Sequence, residues 1–554
     1  MGIIFNLIIY FGLLGIIYAN DFQPDSVTIS LDTFNTSQRN GQAFYIKTTL
    51  PSSKATLVLI KNSPSSLSFI IIQAHAQENL TLITKNAQKV SRIAGTNIGL
   101  QLDSKLIKDT QINVINDKNK TVPALIAITA YTFKAPVPGG CNMEFDIEVS
   151  PYQRLMLTNS TIIIDSQPAS APLINGLKLP CEKNLVTYEI YRLYTDESDF
   201  NNETYFSTII KMLTVDDIIK NAVKIPTSAS RSPMRKVYSS YPRTGSAYVM
   251  IATFGNHSSA YVPIFSYGCT PFSTEISCDY LKTAMSKVLC ASVLFFGIFL
   301  TLITRRRYEV ELFLLGCFSG GIIGYIILHD NQMEAELTVN LSVIIGIVMG
   351  LLLVSLWYIK GMPCIGILQA SLSLGALVAS TMYLGMPGTF DGQLVLVNDT
   401  TFWIIYSTIV TAVVLLLCIF SPNSNIICCA FIGAFAIILP IDYWVGSSLK
   451  YIIINTVRRI TVYGFNVAII HPPFQSKDIW LSVFWILLAL QSIHLQRKRL
   501  QGGSPLFPRR VDYNLIDSES SYPIISEEPH HQGTFLIGNN STITTTKNYS
   551  TFFK

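Results

Sequence analysis

Seven apolar runs of nearly uniform length lie between residues 284 and 495, and no other feature limits the fold of this chain so sharply. They cover roughly 284–304, 310–328, 337–358, 364–384, 402–420, 426–445 and 478–495. A helix needs about 20 apolar residues to cross a bilayer core. In lipid a helix also satisfies its own backbone polar groups, so each run predicts a membrane-spanning helix. Apolar residues make up 49% of the chain and charged residues only 14%, and the deficit of charge is concentrated in this half. The net charge of +5 comes with no basic stripe, so no nucleic-acid partner is expected.

The charges between the runs give an orientation. Arg305-Arg306-Arg307, Lys360, Arg497-Lys498-Arg499 and Arg509-Arg510 fall on one side, and Asp330, Glu334, Glu336, Asp391 and Asp399 on the other. Basic loops stay in the cytosol, so the tail is expected inside and the amino-terminal half outside. Met1–Ala19 is apolar and ends on a small residue. It reads as a secretory signal peptide, with an uncleaved anchor as the alternative. Leu449–Val462 sets Ile452, Ile453, Val457 and Ile460 against Lys450, Asn455, Arg458 and Arg459, which predicts an interfacial helix on the outer surface. As an eighth span it would place both arginines near the bilayer centre, at roughly 2.5–3.5 kcal/mol each.

The outer half carries Cys141, Cys181, Cys269 and Cys278. In an oxidising compartment four cysteines predict two disulfides with three possible pairings, and Cys141–Cys181 with Cys269–Cys278 closes the shorter loops. Sequons at Asn35, Asn79, Asn119, Asn159, Asn202 and Asn256 precede the first span and are expected to carry glycans. Those at Asn539, Asn540 and Asn548 lie on the cytosolic side and are expected to stay bare. Runs rich in Val, Ile, Thr and aromatics at Ala55–Lys61, Ser68–Ala74, Leu80–Lys85, Gln111–Ile115 and Ala124–Phe133 predict a sandwich or small barrel over residues 20–165. A Pro/Ser-rich linker is expected over 166–180. A second α+β module is expected over 181–282, with strands at Thr187–Tyr194, Ala247–Phe254 and Ala260–Ser266 and one helix over Thr204–Ala222. Asn142, Glu144, Asp146 and Glu148 share one strand face, which reads as solvated rather than as a calcium site. His75 and His257 stand alone and read as satisfied or solvated. No hydrolase elbow, zinc-protease motif or phosphate loop appears, so no catalytic residue, metal or cofactor is expected and the chain does not read as an enzyme.

In the membrane half, residues 283–496, small residues repeat four apart at Gly316, Gly320 and Gly324, at Gly346 and Gly350, and at Ser371, Gly375 and Ala379. This predicts close helix packing within the bundle, with a dimer seam as the alternative. Asp442 is expected at membrane depth near the outer interface, accepting hydrogen bonds or pairing with a lysine or arginine. Cys428 and Cys429 read either as buried thiols or as acylation sites. In the cytoplasmic tail, 497–554, Tyr513 with Ile516 and Tyr522 with Ile525 fit the tyrosine-x-x-bulky pattern that an endocytic adaptor would take.

Several stretches together resemble the transmembrane 7 superfamily member 3 family. They are Val137-Pro138-Gly139-Gly140-Cys141-Asn142 with Glu144-Phe145-Asp146, and Ser259-Ala260-Tyr261-Val262-Pro263 before Cys269. In the bundle they are Glu311-Leu312-Phe313, Ile441-Asp442, Ser448-Leu449, Tyr451-Ile452, and Pro473-Phe474-Gln475 with Asp478. The resemblance implies a setting in cell survival and in damping endoplasmic-reticulum stress, without a ligand or a mechanism. The expected fold is therefore a pair of β-rich, sandwich-like extracellular domains followed by an all-α seven-helix transmembrane bundle. The expected protein is a non-enzymatic plasma-membrane glycoprotein, amino terminus outside, cycling through endosomes. Its partners are the lipid bilayer and an unidentified extracellular protein or small ligand. A G-protein-coupled receptor is the alternative, disfavoured by a loop of only Lys360–Pro363 between two spans and by missing helix-end motifs. A channel or transporter is disfavoured by scarce buried charge.

Overall fold

The computed structural model of the protein describes residues 26–501, apart from 86–89, 142–152, 174–176, 178, 182–184, 226–234, 272–275, 280, 282, 303–307, 330–333, 362, 386–395 and 420. The expected signal peptide, the acidic strand face at 142–148, the arginine triplet at 305–307 and the tail motifs at Tyr513, Ile516, Tyr522 and Ile525 lie outside the described residues.

Two domains precede the bundle, called the outer domains after the side of the membrane on which they are expected, and the first contains β1 (Ser26–Ser30), β2 (Gln42–Leu50), β3 (Ala55–Lys61), β4 (Leu67–Lys85), β5 (Val90–Asp103), β6 (Gln111–Ile115) and β7 (Val122–Thr132). Two runs expected as separate strands are one, β4. Its first half pairs with β7 and its second half with β6, and its register against β5 breaks between His75 and Leu80. Ile70, Ile72, Leu82, Ile126 and Ile128 meet in the core that β4 helps to enclose.

The second outer domain stacks β8 (Gln153–Leu157), β9 (Thr161–Ser166) and β12 (Lys236–Ser239) against a sheet of β10 (Thr187–Glu197), β11 (Val223–Ile225), β13 (Thr244–Phe254), β14 (His257–Ala260) and β15 (Ile264–Ser266). Residues up to 165 were assigned above to the first domain, yet β9 pairs with β12, so the second domain takes up β8 and β9 as well. Nor do residues 166–180 run free as a linker. Val137 and Ser170 exchange two backbone hydrogen bonds of 2.9 Å, Ala169 and Ala171 enter the second core, and Cys141–Cys181 ties the stretch at its far end. The other disulfide is Cys269–Cys278.

Both faces of β13 are buried. Tyr248, Met250 and Ala252 face the three-stranded sheet, while Ala247, Val249 and Ile251 face α1 (Asn202–Ile210) and α2 (Val215–Asn221). One helix was expected here, and Thr214 divides it. Its backbone is extended, and its hydroxyl accepts from Asp217 N at 3.2 Å and donates to the Asp217 carboxylate at 2.6 Å, a cap that starts a new helix. Leu125 and Ala127 of β7 enter the same core, so the helices wedge the two outer domains together.

The bundle consists of α3 (Ala284–Leu302), α4 (Tyr308–His329), α5 (Ala335–Lys360), α6 (Cys364–Gly385), α7 (Asp399–Ile419), α8 (Ser421–Val445) and α10 (Ser476–Gln501), with the short α9 (Tyr451–Thr461) before the last. Seven of these helices are long and apolar enough to cross a membrane. The glycine repeats serve packing inside the bundle. A Cβ on Gly316 would come 2.7 Å from Gly350 Cα, and one on Gly346 would come 2.6 Å from the Cys317 carbonyl. Cys428 and Cys429 are fully buried, out of reach of an acyl donor.

Candidate functional site at the junction of the outer domains and the bundle

The outer end of α8 carries Asp442, which is fully buried. Its carboxylate accepts from Ser447 N at 2.8 Å and from Lys450 N at 2.5 Å, closing the turn after the helix. Lys450 Nζ lies 3.9 Å from Asp442 and 2.8 Å from Glu197 of β10, and it donates to the Ser447 carbonyl at 2.8 Å. One cation thus stands between two buried carboxylates, one from each half of the protein. Burial pushes the Glu197 carboxyl above the ordinary range, against the pull of Lys450. Asp478, at the start of α10, accepts from Ser448 N at 2.5 Å, Ser448 Oγ at 2.8 Å and Gln475 N at 2.6 Å, and so fixes the other side of the same loop.

Helix α9 is amphipathic, as expected, but it does not lie exposed on the outer surface. Arg458 and Arg459 are each 7% exposed. Arg458 donates to the Ser240 carbonyl at 2.7 Å and to Ser239 Oγ at 3.3 Å, while Arg459 donates to Asp399 at 2.5 Å and the Leu396 carbonyl at 3.1 Å. Tyr241 meets Tyr451 edge to face at 4.7 Å, and Ser239 Oγ donates to Asn455 Oδ1 at 3.0 Å. The apolar side, with Ile453 and Val457, points into the bundle. The polar face is matched by protein rather than by water, Arg458 by the second outer domain and Arg459 by the start of α7 and the Leu396 carbonyl just before it, which is why two arginines can be buried there.

The segment after α9 extends a sheet. Ser239 N donates to the Ile469 carbonyl at 3.1 Å and Ile469 N to the Val237 carbonyl at 2.8 Å, a parallel bridge on the edge of β12. Beside it Arg192, 2% exposed, donates to the His471 carbonyl at 2.5 Å, and Tyr194 donates to the same oxygen at 2.7 Å. The guanidinium lies 4.3 Å from the Tyr194 ring, 5.8 Å from Tyr248 and 5.9 Å from Tyr238, so π faces help to hold its charge. Burial raises the Tyr194 hydroxyl well above its ordinary value, which keeps it a donor. Burial and the Arg192 charge lower His471 to about 4.

Asp442 is not the only buried acid in the described helices, since Asp478 is 1% exposed and a further one, not singled out as a buried acid from the sequence, lies away from the junction. Glu311, in the first turn of α4, is 2% exposed and accepts from Asn425 Nδ2 at 2.5 Å and Cys429 Sγ at 2.9 Å. Its place inside an apolar run was the available signal. Of the six sequon asparagines, Asn35, Asn79, Asn119, Asn159 and Asn256 are exposed and Asn202 is half-buried at the start of α1. His75 is fully buried between Asn97 Oδ1 at 3.1 Å and Gln73 Oε1 at 3.0 Å, where the outer domains meet. Among the described residues no cluster of three metal-ligating side chains occurs.

The stretches that carry the family resemblance fall on this geometry. Asp442, Ser448, Tyr451, Gln475 and Asp478 all build the junction. Residues 36–131 match a family model described as TM7SF3-like, N-terminal immunoglobulin-like domain, and residues 136–272 match the second immunoglobulin-like domain of the same family. Residues 290–497 match the TM7S3/TM198-like domain. Transmembrane 7 superfamily member 3 of Homo sapiens is 27% identical over 508 residues, covering 87% of this chain and 88% of that protein. The protein of that name from Rattus norvegicus is 26% identical over 487 residues, covering 85% and 86%. With two immunoglobulin-like outer domains clamped onto seven long apolar helices, and with these matches along most of its length, this chain belongs to the transmembrane 7 superfamily member 3 family.

Proposed function

We propose that the chain is a non-enzymatic cell-surface glycoprotein whose outer domains and bundle work as one body in cell survival and in damping endoplasmic-reticulum stress. In this reading Met1–Ala19 directs the chain into the secretory pathway, glycans sit on the outer domains, and the tail faces the cytosol with its two tyrosine motifs open to endocytic adaptors. Glu334, Glu336 and Asp399 at one end of the helices, against Lys360, Arg497 and Lys498 at the other, support that orientation. The observation that carries the reading is the Glu197–Lys450–Asp442 group. A buried charge cluster shared between two halves resists their separation, so an event on the outer domains is felt at α8 and α9. An unidentified extracellular protein or small ligand is the expected trigger.

The test uses cells that lack the protein and are challenged with an inducer of unfolded-protein stress. Full-length chain is expected to restore survival, and a chain reduced to residues 283–554 is not. Equal rescue by the bundle alone would defeat the reading. Robust G-protein activation by the full chain would favour the receptor alternative instead.

A further inference from the structure

Inside the bundle, α3, α4, α6, α7, α8 and α9 leave a cavity of about 400 Å³, within the size range of small-ligand pockets. Apolar side chains such as Phe318, Leu377, Phe435 and Leu439 make up most of its wall, and no charged residue lines it. Two polar pairs break the apolar wall, besides Ser373 and Thr456, whose hydroxyls donate to the backbone of their own helices. Gln369 Nε2 donates to Ser319 Oγ at 2.6 Å, and Ser380 Oγ lies 3.2 Å from the Tyr406 hydroxyl. Gln369 and Ser380 are eleven residues apart on α6, about 16 Å along the helix axis. Tyr406 is already committed to Ser380 and to the Ala376 carbonyl, whereas the Gln369 side-chain carbonyl has no donor among the described residues.

Access is one-sided. The outer end is roofed by α9, through Ile453, Thr456, Val457 and Ile460, and that helix is pinned from above by the second outer domain through Arg458. Sideways, Phe296 and Phe318 touch edge to face at 5.8 Å between α3 and α4, and beside them Ile322 and Ile323 are 41% and 52% exposed where lipid would surround the helix. An occupant therefore arrives from the bilayer and not from water. The uncharged wall disfavours a phosphate or carboxylate headgroup, whose charge would be buried without a partner. What fits is a stiff apolar body carrying a single hydroxyl.

We infer that this cavity is a lateral binding site for a membrane sterol, whose hydroxyl donates to the Gln369 side chain and whose apolar body lies against Phe318, Leu377 and Phe435 beneath the α9 roof.

The experiment uses the full-length protein in detergent depleted of lipid, with a photoactivatable, clickable sterol as the probe. Labelling is expected to saturate, to map to peptides spanning 318–326 and 369–380, and to be displaced by excess free sterol but not by a fatty acid or a diacylglycerol. Gln369→Leu is expected to reduce labelling about fivefold, as loss of one hydrogen bond would. Ala436→Phe fills the cavity, and Ile323→Trp, at the exposed mouth, blocks entry without touching the core. Each should reduce labelling while thermal unfolding shows the protein still folded. Labelling that is indifferent to Ile323→Trp and Gln369→Leu, adducts spread over outward-facing residues such as Leu415 and Leu416, or displacement by a fatty acid or a diacylglycerol as readily as by sterol would each overturn the inference.

Discussion

Lys450, on the loop that follows the sixth span, and Glu197, at the end of β10 in the second outer domain, form a buried ion pair with Nζ 2.8 Å from Oε2, although 253 residues separate them. Their side chains are 7% and 6% exposed, and the fully buried Asp442 lies 3.9 Å away on the bundle side. A buried pair repays its desolvation only when further hydrogen bonds serve its remaining lone pairs and protons, and here the Ser447 carbonyl accepts from Lys450 and two backbone N–H groups donate to Asp442.

Removing the cation should therefore cost more than removing one anion. Lys450→Met strands two buried carboxylates and is expected to destabilise the protein by about 3–5 kcal/mol. Glu197→Gln, which leaves Lys450 paired with Asp442, should cost clearly less. Hydrogen–deuterium exchange at 236–241 and 451–461, together with thermal unfolding, reads both effects. Equal effects of the two variants would count against the shared-cation arrangement.

Stability should also depend on pH through the outer domains. Burial lowers His75 to about 4, outweighing the hydrogen bond that it donates to Asn97 Oδ1, while the unfolded chain titrates near 6.5. Between those values the unfolded state holds a proton that the folded state refuses, so stability falls as pH drops from 6.5 towards 4, by at most about 1.4 kcal/mol per pH unit for this residue. His471 titrates in the same window. His75→Gln is thus expected to reduce the slope of melting temperature between pH 6.5 and 5, and an unchanged slope would assign the dependence elsewhere.

The buried acid of α4 invites a paired substitution. Among the described residues Asn425 Oδ1 meets no hydrogen-bond donor, while its amide nitrogen donates to Glu311. Glu311→Gln keeps an acceptor for Asn425 and Cys429 and adds an amide that can serve the idle oxygen, so it is expected to be neutral or stabilising. Glu311→Leu leaves those donors buried and unpaired, at about 1–3 kcal/mol. Melting temperature in detergent separates the two, and a Gln variant less stable than the Leu variant would reject the hydrogen-bonding account.

Close contact between α4 and α5 depends on hydrogen at two α-carbons. Gly316→Val drives a side chain into Gly350 Cα, which a Cβ would already approach to 2.7 Å, and overpacking of this kind costs about 1–3 kcal/mol. Loss of a monodisperse peak on size-exclusion chromatography, together with a lower melting temperature in detergent, is the expected readout. Gly361→Ala makes a control free of crowding, since a Cβ there meets nothing within 4 Å, although its φ of +63° adds some backbone strain.

Much of this was readable in order along the chain. The strands Ala55–Lys61 and Gln111–Ile115 were legible to the residue, because alternation and turn residues act locally. Two features departed from the expectation, one for a local reason and one because of a partner far along the chain. Thr214 splits a helix by capping a stretch whose apolar spacing looked continuous. Ser166 ends a strand that belongs to the second domain because its partner, β12, lies some seventy residues on.

By itself the sequence determined seven long apolar helices, two β-rich domains ahead of them and an amphipathic α9, since length, hydropathy and periodicity are properties of local segments. It did not determine what covers the polar face of that helix. Arg458 and Arg459 read as interfacial because a local pattern carries no information about partners 218 and 60 residues away. Only the tertiary structure sets Ser239 and Ser240 over Arg458 and brings Glu197 to Lys450. Charged groups taken from water must find each other in space, and that pairing is decided by how the domains dock.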